Sequence, residues 1–409
     1  MINNERKINL AVIFDQEVES GGGYQQGLNA AILASKINTN LVKVKYFHTK
    51  KKLKFSLKKY GINSEYINIS IIKKLLLYIK TTEKYKLIYQ FIKIFFDYNF
   101  FQSFLLKRKV DLVYFISPSR FAMDLNKLNF IFTVWDLCHR EQVEFPEAKV
   151  DEEFENREFR LNYVLPRAVS VIVDSEYSKK SLQKIYNINK DRIKILPFEP
   201  SREINLNSYK KEDKIDTFKK YNIEGSYIFY PAQMWPHKNH HYILDGIYLL
   251  EKNYNLKIYS VFSGGNKGNK DKIIEYASKL NIIERIIFTG FISNKEIYSH
   301  YKNCLALVMP TYFGPTNIPP LEAFKVGTPV IYSNLKGLKD QVGDAALLMD
   351  LDNPISLTNN IYNLLKDKNL KNKLIKKGFK IHKRFDKYDR INLLNSIILD
   401  FRNKYITFN

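Results

Sequence analysis

Residues 304–334 read CLALVMPTYFGPTNIPPLEAFKVGTPVIYSN and decide the fold of this chain. The order of residues predicts a strand at 305–309 and a loop at 311–319. A helix from about Pro320 and a second strand at 330–332 follow. Apolar runs separated by a Gly/Pro/Asn-rich loop and a short helix are typical of a βαβ unit. Proline is tolerated in the first helical turn, and Gly327 is placed to end the helix. The segment therefore predicts a parallel α/β sheet.

The loop of this unit is a candidate anion site. The amides that follow Asn317 have no helical partner, and the positive end of the helix dipole favours a phosphate there. Glu322 lies one turn into the helix, where its carboxylate could reach a ribose diol. The alternative is an ordinary acidic residue that stabilises a helix start.

This segment resembles the signature of the family-4 retaining glycosyltransferases, which have the GT-B fold of two facing Rossmann-like domains. In that family a loop of the form E-G-F-G-L-P-x-x-E precedes the helix, and its closing Glu binds the ribose of the donor nucleotide. Glu322 matches the closing Glu, whereas Gly314 stands where the opening Glu would hold the donor sugar. The resemblance implies an α/β protein of two doubly wound domains, with a C-terminal helix that crosses back to the first.

The length of 409 residues exceeds the size at which one hydrophobic core keeps growing, so two domains are expected. A polar, Pro-containing stretch at residues 196–214 is a reasonable linker. We expect an acceptor-binding domain at residues 1–200, a nucleotide-sugar-binding domain at 201–385 and a crossover helix at 386–409. The roles of the domains follow from the resemblance.

Composition limits the location and the partners of the protein. Only Cys138 and Cys304 are present, which suits a reducing cytoplasm. The N-terminus enters a strand without a signal-peptide pattern, and no apolar run has the length of a spanning helix. We therefore expect a cytoplasmic protein, soluble or peripheral on the inner face of the cell membrane. Nucleic acid, anionic lipid or phosphorylated ligands would each satisfy the net charge of +23, to which genome composition also contributes.

Residues 50–109 combine many lysines with apolar side chains. The apolar members are Leu75, Leu76, Leu77, Phe91, Ile94, Phe95, Phe96, Phe100 and Phe101. This spacing is typical of an interfacial helix on an anionic membrane. It is also typical of helices that pack on the sheet with solvated lysines outside. Nucleic acid is the weakest interpretation, because the aromatic residues form apolar runs rather than spaced stacking platforms.

Two segments of the first half are candidate substrate sites. Gly21, Gly22 and Gly23 follow the strand at residues 8–14, and they allow either close approach of a ligand or a tight strand-to-helix connection. The resemblance places such a loop beside the acceptor or the donor phosphates. Asp136 and His139 follow the strand at residues 130–134, where open α/β sheets bind ligands.

In related enzymes the segment around Asp136 carries an H-D-like pair near the sugar. Trp135 stands where His is often found, so Asp136 aligns directly and His139 is a substitute. The resemblance implies that Asp136 or His139 orients the sugar. The alternative is a structural histidine.

The second half contains the expected donor residues. Family members have an Arg five residues before the lysine that matches Lys238, and the two cations bind the donor diphosphate. Gln233 occupies the Arg position. An unpaired Lys near a helix N-terminus would oppose the helix dipole, so an anion is expected beside Lys238. The resemblance adds Gly290, Phe291 and Ile292 for the nucleotide base and the amides of Thr316, Asn317 and Ile318 for the phosphates.

The sequence thus predicts a retaining glycosyltransferase that moves a sugar from a nucleotide diphosphate sugar to a saccharide or lipid-linked saccharide in surface polysaccharide assembly. The resemblance to mannosyltransferases of surface polysaccharide assembly favours GDP-mannose as the donor, and UDP and dTDP sugars are the alternatives. We expect no metal and no permanently bound cofactor, because Lys238 and the loop amides would neutralise the departing diphosphate. Gly314 and Gln233 favour the alternative of a nucleotide-sugar-binding protein with impaired catalysis. An epimerase of the same fold is a further alternative.

Overall fold

A computed structural model of the chain describes residues 6–16, 21–95, 99–204, 215–386 and 389–408. These residues divide into two units. The first unit comprises residues 1–140, 149–197 and 389–409, and the second comprises residues 141–148 and 198–388. Phe96 and the side chain of Phe95, both named above, lie outside the described part of the chain.

The first unit is built on a parallel sheet with the strand order β3-β2-β1-β4-β5-β6-β7. Its elements in chain order are β1 (Ile8–Phe14), α1 (Gly22–Ala34), β2 (Val42–His48), α2 (Leu53–Lys58), β3 (Ser64–Tyr66), α3 (Ile71–Thr81), α4 (Lys86–Phe95), α5 (Phe100–Leu106), β4 (Leu112–Phe115), β5 (Asn129–Thr133), α6 (Cys138–Glu141), α7 (Glu153–Val164), β6 (Ser170–Val173), α8 (Glu176–Tyr186) and β7 (Ile193–Ile195).

The second unit is built on a parallel sheet with the order β10-β9-β8-β11-β12-β13. Its elements are α9 (Thr217–Tyr221), β8 (Tyr227–Pro231), α10 (His240–Tyr254), β9 (Tyr259–Ser263), α11 (Lys270–Lys279), β10 (Ile286–Gly290), α12 (Asn294–Asn303), β11 (Ala306–Met309), α13 (Ile318–Val326), β12 (Val330–Ser333), α14 (Leu338–Val342), β13 (Leu347–Met349), α15 (Ile355–Lys366) and α16 (Lys368–Asp386). The last helix, α17 (Arg390–Tyr405), belongs to the first unit and packs beside α1.

The central strands are apolar because both faces of each sheet are covered by helices. Every residue of β4, β6, β11 and β12 is buried. The apolar runs at residues 305–309 and 330–332 correctly predicted the adjacent strands β11 and β12. The α/β fold class expected from these runs is confirmed.

The helix α13 begins at Ile318, two residues before the predicted start. Pro319 and Pro320 therefore occupy the second and third helical positions, where the missing N–H groups would have no helical acceptor. Gly327 ends the helix in the left-handed conformation, with φ +84°, as predicted.

Each sheet has one point at which the strand order reverses direction. In the first unit it lies between β1 and β4, and in the second between β8 and β11. Loops that leave two such strands diverge and open a crevice at the carboxyl ends, where open α/β sheets bind ligands. In the second unit these two loops contain Lys238 and residues 310–317.

Candidate functional site

Lys238 contacts the loop that follows β11. Its Nζ donates to Thr311 Oγ1 at 3.4 Å, and the Tyr312 amide donates to the His237 carbonyl at 3.0 Å. The Tyr230 hydroxyl donates to the Lys238 carbonyl at 3.0 Å, which fixes the backbone at the start of α10. The cation is therefore held at the switch point of the second sheet, where a helix N-terminus also lies.

A buried carboxylate fixes the residue next to Lys238. Glu147 Oε1 accepts hydrogen bonds from His237 Nδ1 at 2.8 Å and from the His237 amide at 3.2 Å. The imidazole stacks on Phe313 with ring centroids 4.1 Å apart. Burial would raise the pKa of Glu147, but the bonds from His237 more than offset this and hold it below its usual range. Glu147 thereby fixes His237, and the His237 ring in turn packs on the loop that follows β11.

Sequence reasoning missed this pair because Glu147 lies 90 positions before His237. The interaction is structural, because both side chains are nearly enclosed: 10% of the His237 side chain and 11% of the Glu147 side chain are exposed. His237 therefore supports the loop that presents Lys238.

Gly314 stands at the position of the missing acidic residue, and the backbone there requires glycine. Its φ is +94°, and a Cβ would lie 3.0 Å from the Thr316 carbonyl and 3.1 Å from Asn317 Nδ2. A side chain at this position is strained and also meets the loop that follows. In this conformation the loop has no room for the opening Glu at position 314.

We expect that Gly314→Glu does not restore a motif but lowers donor binding at least tenfold. The left-handed conformation of a non-glycine residue costs about 1–2 kcal/mol, and a displaced loop loses the bond to Lys238. Calorimetric titration with nucleoside diphosphates measures this effect. Gly225→Glu, at a glycine with open space around its Cβ, is the matched control. Tighter binding by the Gly314 variant would contradict this account of the loop.

The start of α13 is more occupied than the sequence suggests. The Asn317 amide donates to Gln341 Oε1 at 2.9 Å, and Gln341 Nε2 donates back to the Asn317 carbonyl at 2.6 Å. A phosphate contact at the Asn317 amide would therefore have to replace the bond to Gln341, and it stays a prediction. Because Pro319 and Pro320 carry no N–H, the first helical turn offers an amide at Ile318, while Thr316 lies partly exposed before it. Phosphate binding by Thr316 and Ile318 stays a prediction.

Glu322 is buried inside the second unit. Only 7% of Glu322 is exposed. Its Oε2 accepts a hydrogen bond from the Tyr301 hydroxyl at 3.0 Å, and its Oε1 accepts one from the Ser201 amide at 3.3 Å. Burial raises the pKa of Glu322 to about 7, well above that of an ordinary glutamate. The carboxylate thus meets two protein donors rather than solvent, and a ribose contact would have to replace the bond to Ser201.

The glycine turn after β10 lies against the turn after β9. The Gly290 carbonyl accepts the Gly264 amide at 2.9 Å and the Ser263 hydroxyl at 3.3 Å. Phe291 is 63% exposed, and its ring lies over Gly265, where a Cβ would be 2.8 Å away. Ile292 packs partly on the core. An exposed aromatic ring beside a glycine turn offers a stacking surface, so the assignment to a base stays a prediction.

Gln233 has a structural partner. Its Oε1 accepts the Trp235 indole N–H at 3.1 Å. Lys267 Nζ lies 5.4 Å from the Trp235 ring centroid, within the range of a cation–π interaction. The position occupied by Arg in related chains is thus neutral here, while a second cation approaches the same loop from the turn after β9.

Comparison with known proteins shows which family the second half of the chain resembles. The pattern of the family described as "Glycosyl transferases group 1" matches residues 213–381, which include β8 to β13 and all the loops described above. Residues 213–381 belong to the group 1 glycosyltransferase family. Lys238, Gly290, Thr311 and Glu322 are therefore residues of a glycosyltransferase domain.

Two curated relatives are similar to about half of the chain. The chain is 27% identical to the O-antigen chain mannosyltransferase RfbU of Salmonella typhimurium over 50% of its length and 54% of the relative. It is 24% identical to O-antigen chain mannosyltransferase B of Escherichia coli over 54% of its length and 58% of the relative. The chain thus spans about half the length of these relatives.

The fold extends beyond the glycosyltransferase domain. The structure of Anabaena HepE in complex with UDP-glucose superposes with a TM-score of 0.68, covering 96% of this chain and 99% of that one at 14% identity. Identity at this level establishes the fold alone. Together with the two parallel sheets, it confirms the GT-B fold of two Rossmann-like units that the sequence predicted.

In the first unit, Asp136 and His139 have different environments. Asp136 Oδ1 pairs with Arg157 at 2.8 Å and accepts the Cys138 amide at 3.0 Å, with 31% of its side chain exposed. Burial would raise the pKa of Asp136, but Arg157 and the Cys138 amide outweigh it and keep the carboxylate ionised. Asp136 is therefore an accessible anion.

His139 is enclosed, with 1% of its side chain exposed, and its Nε2 bonds Glu158 Oε1 at 2.7 Å. Burial lowers the pKa of His139 to about 4, so the ring is neutral near pH 7. The Glu158 carboxylate also accepts hydrogen bonds from the Tyr186 hydroxyl and from Arg140. Direct contact between His139 and a sugar, one of the sequence hypotheses, disagrees with this burial. The ring supports the turn that carries Asp136.

The glycine triplet follows β1 at the switch point of the first sheet. Gly22 and Gly23 open α1, and Ser117 of the neighbouring loop donates to Asp15 at 2.6 Å. A Cβ on Gly23 would lie 2.9 Å from the Trp135 ring. Glycine is thus required at Gly23 by close packing against the tryptophan before Asp136. Contact of Gly22 and Gly23 with a ligand stays a prediction.

Proposed function

We propose that the protein is a retaining glycosyltransferase that transfers a hexose from a nucleotide diphosphate sugar to an acceptor hydroxyl. The observation that carries this proposal is the meeting of Lys238 with Thr311 at the switch point of a group 1 glycosyltransferase domain. A cation, a hydroxyl and a helix N-terminus at one crevice suit a diphosphate better than a neutral ligand.

The reaction we propose needs little from the protein besides fixed positive charge. The bond between the sugar C1 and the diphosphate oxygen breaks, and a bond from C1 to the acceptor oxygen forms on the same face. The acceptor proton passes to the departing phosphate. Lys238 and the start of α13 stabilise the charge that grows on the diphosphate, which lowers the barrier without a metal ion or bound cofactor. Accessible Asp136 orients a sugar through hydrogen bonds.

The donor we favour is GDP-mannose. The two curated relatives named above are mannosyltransferases of O-antigen chains, which supports mannose and a saccharide acceptor. UDP-glucose, the ligand of HepE, is the second donor to test. We propose a surface polysaccharide intermediate as the acceptor, linked to a lipid and met at the inner membrane face.

A panel of nucleotide sugars with mixed lipid-linked and free saccharides tests the proposal. Release of the nucleoside diphosphate together with a longer saccharide that keeps the anomeric configuration supports transfer. An altered nucleotide sugar without release indicates an epimerase. Thermal stabilisation by a donor without turnover indicates a binding protein, and either of these last two results overturns the transferase proposal.

A further inference from the structure

Helices α3 and α4 of the first unit carry an apolar face that the described residues leave open to solvent. The two helices pack on each other and are joined by a short turn at residues 82–85. We call the exposed apolar set the α3–α4 face. Its main members and their exposed fractions are Ile71 (84%), Ile72 (71%), Leu75 (56%), Leu87 (77%), Phe91 (65%) and Ile94 (75%).

The opposite side of α3 holds a buried charge. Lys80 is 6% exposed, and its Nζ pairs with Asp124 at 2.7 Å and donates to Asn99. Asp124 also accepts the Phe101 amide at 2.8 Å. Leu77 packs into the core on the same side. A helix that serves only its own unit would bury its apolar stripe and expose its lysines.

The buried Lys80–Asp124 pair determines which side of α3 faces solvent. Turning the helix over would separate Lys80 from Asp124 and leave the buried Asp124 carboxylate without its partner, which costs about 3–5 kcal/mol. The α3–α4 face is thus presented by the architecture, and the contiguous apolar stripe marks a surface for another molecule.

The charge around the α3–α4 face selects the partner. Residues 50–94 contain twelve lysines and two glutamates, with no arginine or aspartate. Lys74, Lys86 and Lys93 are exposed on the same two helices, each next to a member of the apolar face. Long lysine side chains can extend past an apolar stripe towards anionic headgroups while their methylenes stay in the apolar layer.

We propose that the α3–α4 face docks on the surface of a bilayer that contains anionic lipid. Aliphatic side chains dominate the face, and these enter the acyl boundary but offer no stacking platform to nucleic acid bases. No described helix is both long and apolar enough to cross a bilayer. Docking itself does not depend on the proposed function. Only its benefit does, because docking would bring a lipid-linked acceptor within reach of the enzyme.

Flotation with vesicles of phosphatidylcholine alone, or mixed with phosphatidylglycerol, tests the proposal on the full chain without any nucleotide. We expect the mixed vesicles to bind the protein more tightly. The triple variant Ile71→Gln, Leu87→Gln and Phe91→Gln should lose at least tenfold in affinity for them, since three apolar side chains no longer enter the acyl boundary. Lys74→Gln, Lys86→Gln and Lys93→Gln together should lose the preference for anionic lipid, at about fivefold per lysine.

The variants are expected to fold, because each of the three apolar side chains is mostly exposed. Phe408→Gln, at a phenylalanine with 68% exposure outside the face, is the matched control and should float like the wild type. Failure of the wild type to bind either vesicle would overturn the proposal. So would a wild-type dimer that the triple variant converts to monomers, since the face would then join two copies. Vesicle binding by a protein that turns over no donor would leave this inference intact and defeat the transferase proposal alone.

Discussion

Replacing Lys238 with glutamine is expected to lower kcat/KM for donor turnover by about 10²- to 10³-fold, the usual cost of removing one charge-stabilising donor from a transition state. Lys238 Nζ lies 3.4 Å from Thr311 Oγ1 at the end of β11, so glutamine keeps a polar group near the hydroxyl but removes the positive charge. Most of the loss should appear in kcat, because charge on the diphosphate grows as the sugar departs. Steady-state assays of nucleoside diphosphate release measure both parameters.

The control for this experiment is Lys279→Gln, which removes the same charge from an exposed surface pair with Glu275. Its kinetic parameters should match those of the wild type. Thermal unfolding of both variants separates catalytic loss from instability. If Lys238→Gln retained its kcat within a factor of about three, electrostatic stabilisation by this lysine would be refuted.

Replacing Glu322 with glutamine is expected to stabilise the protein at pH 8 by up to about 3 kcal/mol, since a pKa difference of one unit corresponds to about 1.36 kcal/mol. The pKa of Glu322 is about 7 in the folded chain, against 4.5 for an ordinary glutamate. Between these values the folded state binds one proton more than the unfolded state, so stability falls as the pH rises from about 4.5 to 7. Below pH 4.5 the two states bind equally, and the effect vanishes.

The same substitution should weaken donor binding by roughly ten- to a hundredfold if the carboxylate accepts the ribose, because hydrogen bonds to charged groups contribute about 1.5–3 kcal/mol. Denaturant unfolding at pH 5 and pH 8, with calorimetric titration of a nucleoside diphosphate, measures both effects. Glu275→Gln, at an exposed glutamate on α11, is the control. A variant that is less stable at pH 8 than the wild type would show that the ionised carboxylate contributes to folding.

The central strands of both sheets could be predicted from local sequence because they are short apolar runs that end in polar or glycine-containing loops, whereas the edge strand β3, Ser64–Tyr66, has no such run. Ile8–Phe14 was predicted with the same bounds that the structure shows. Ser175 directly precedes α8, a position that favours serine, and its side chain accepts the Ser178 amide as a helix cap. Such features depend on neighbours within a few positions, which sequence displays directly.

The polar partners of the site could not be predicted in this way. Glu147 meets His237, Gln341 closes on Asn317, and Tyr301 and Ser201 enclose Glu322. Each pairing joins segments that are distant in sequence and depends on side-chain geometry after folding. The same holds for residues 50–109: their periodicity indicates amphipathic helices, but only the buried Lys80–Asp124 pair shows which side of α3 faces outward.

The most direct test of the account is a crystal structure of the chain with a bound nucleoside diphosphate, GDP or UDP. The account predicts phosphate oxygens within hydrogen-bond distance of Lys238 Nζ and near the start of α13, between the loops that follow β8 and β11. A diphosphate bound elsewhere, with Lys238 directed away from it, would contradict the central claim.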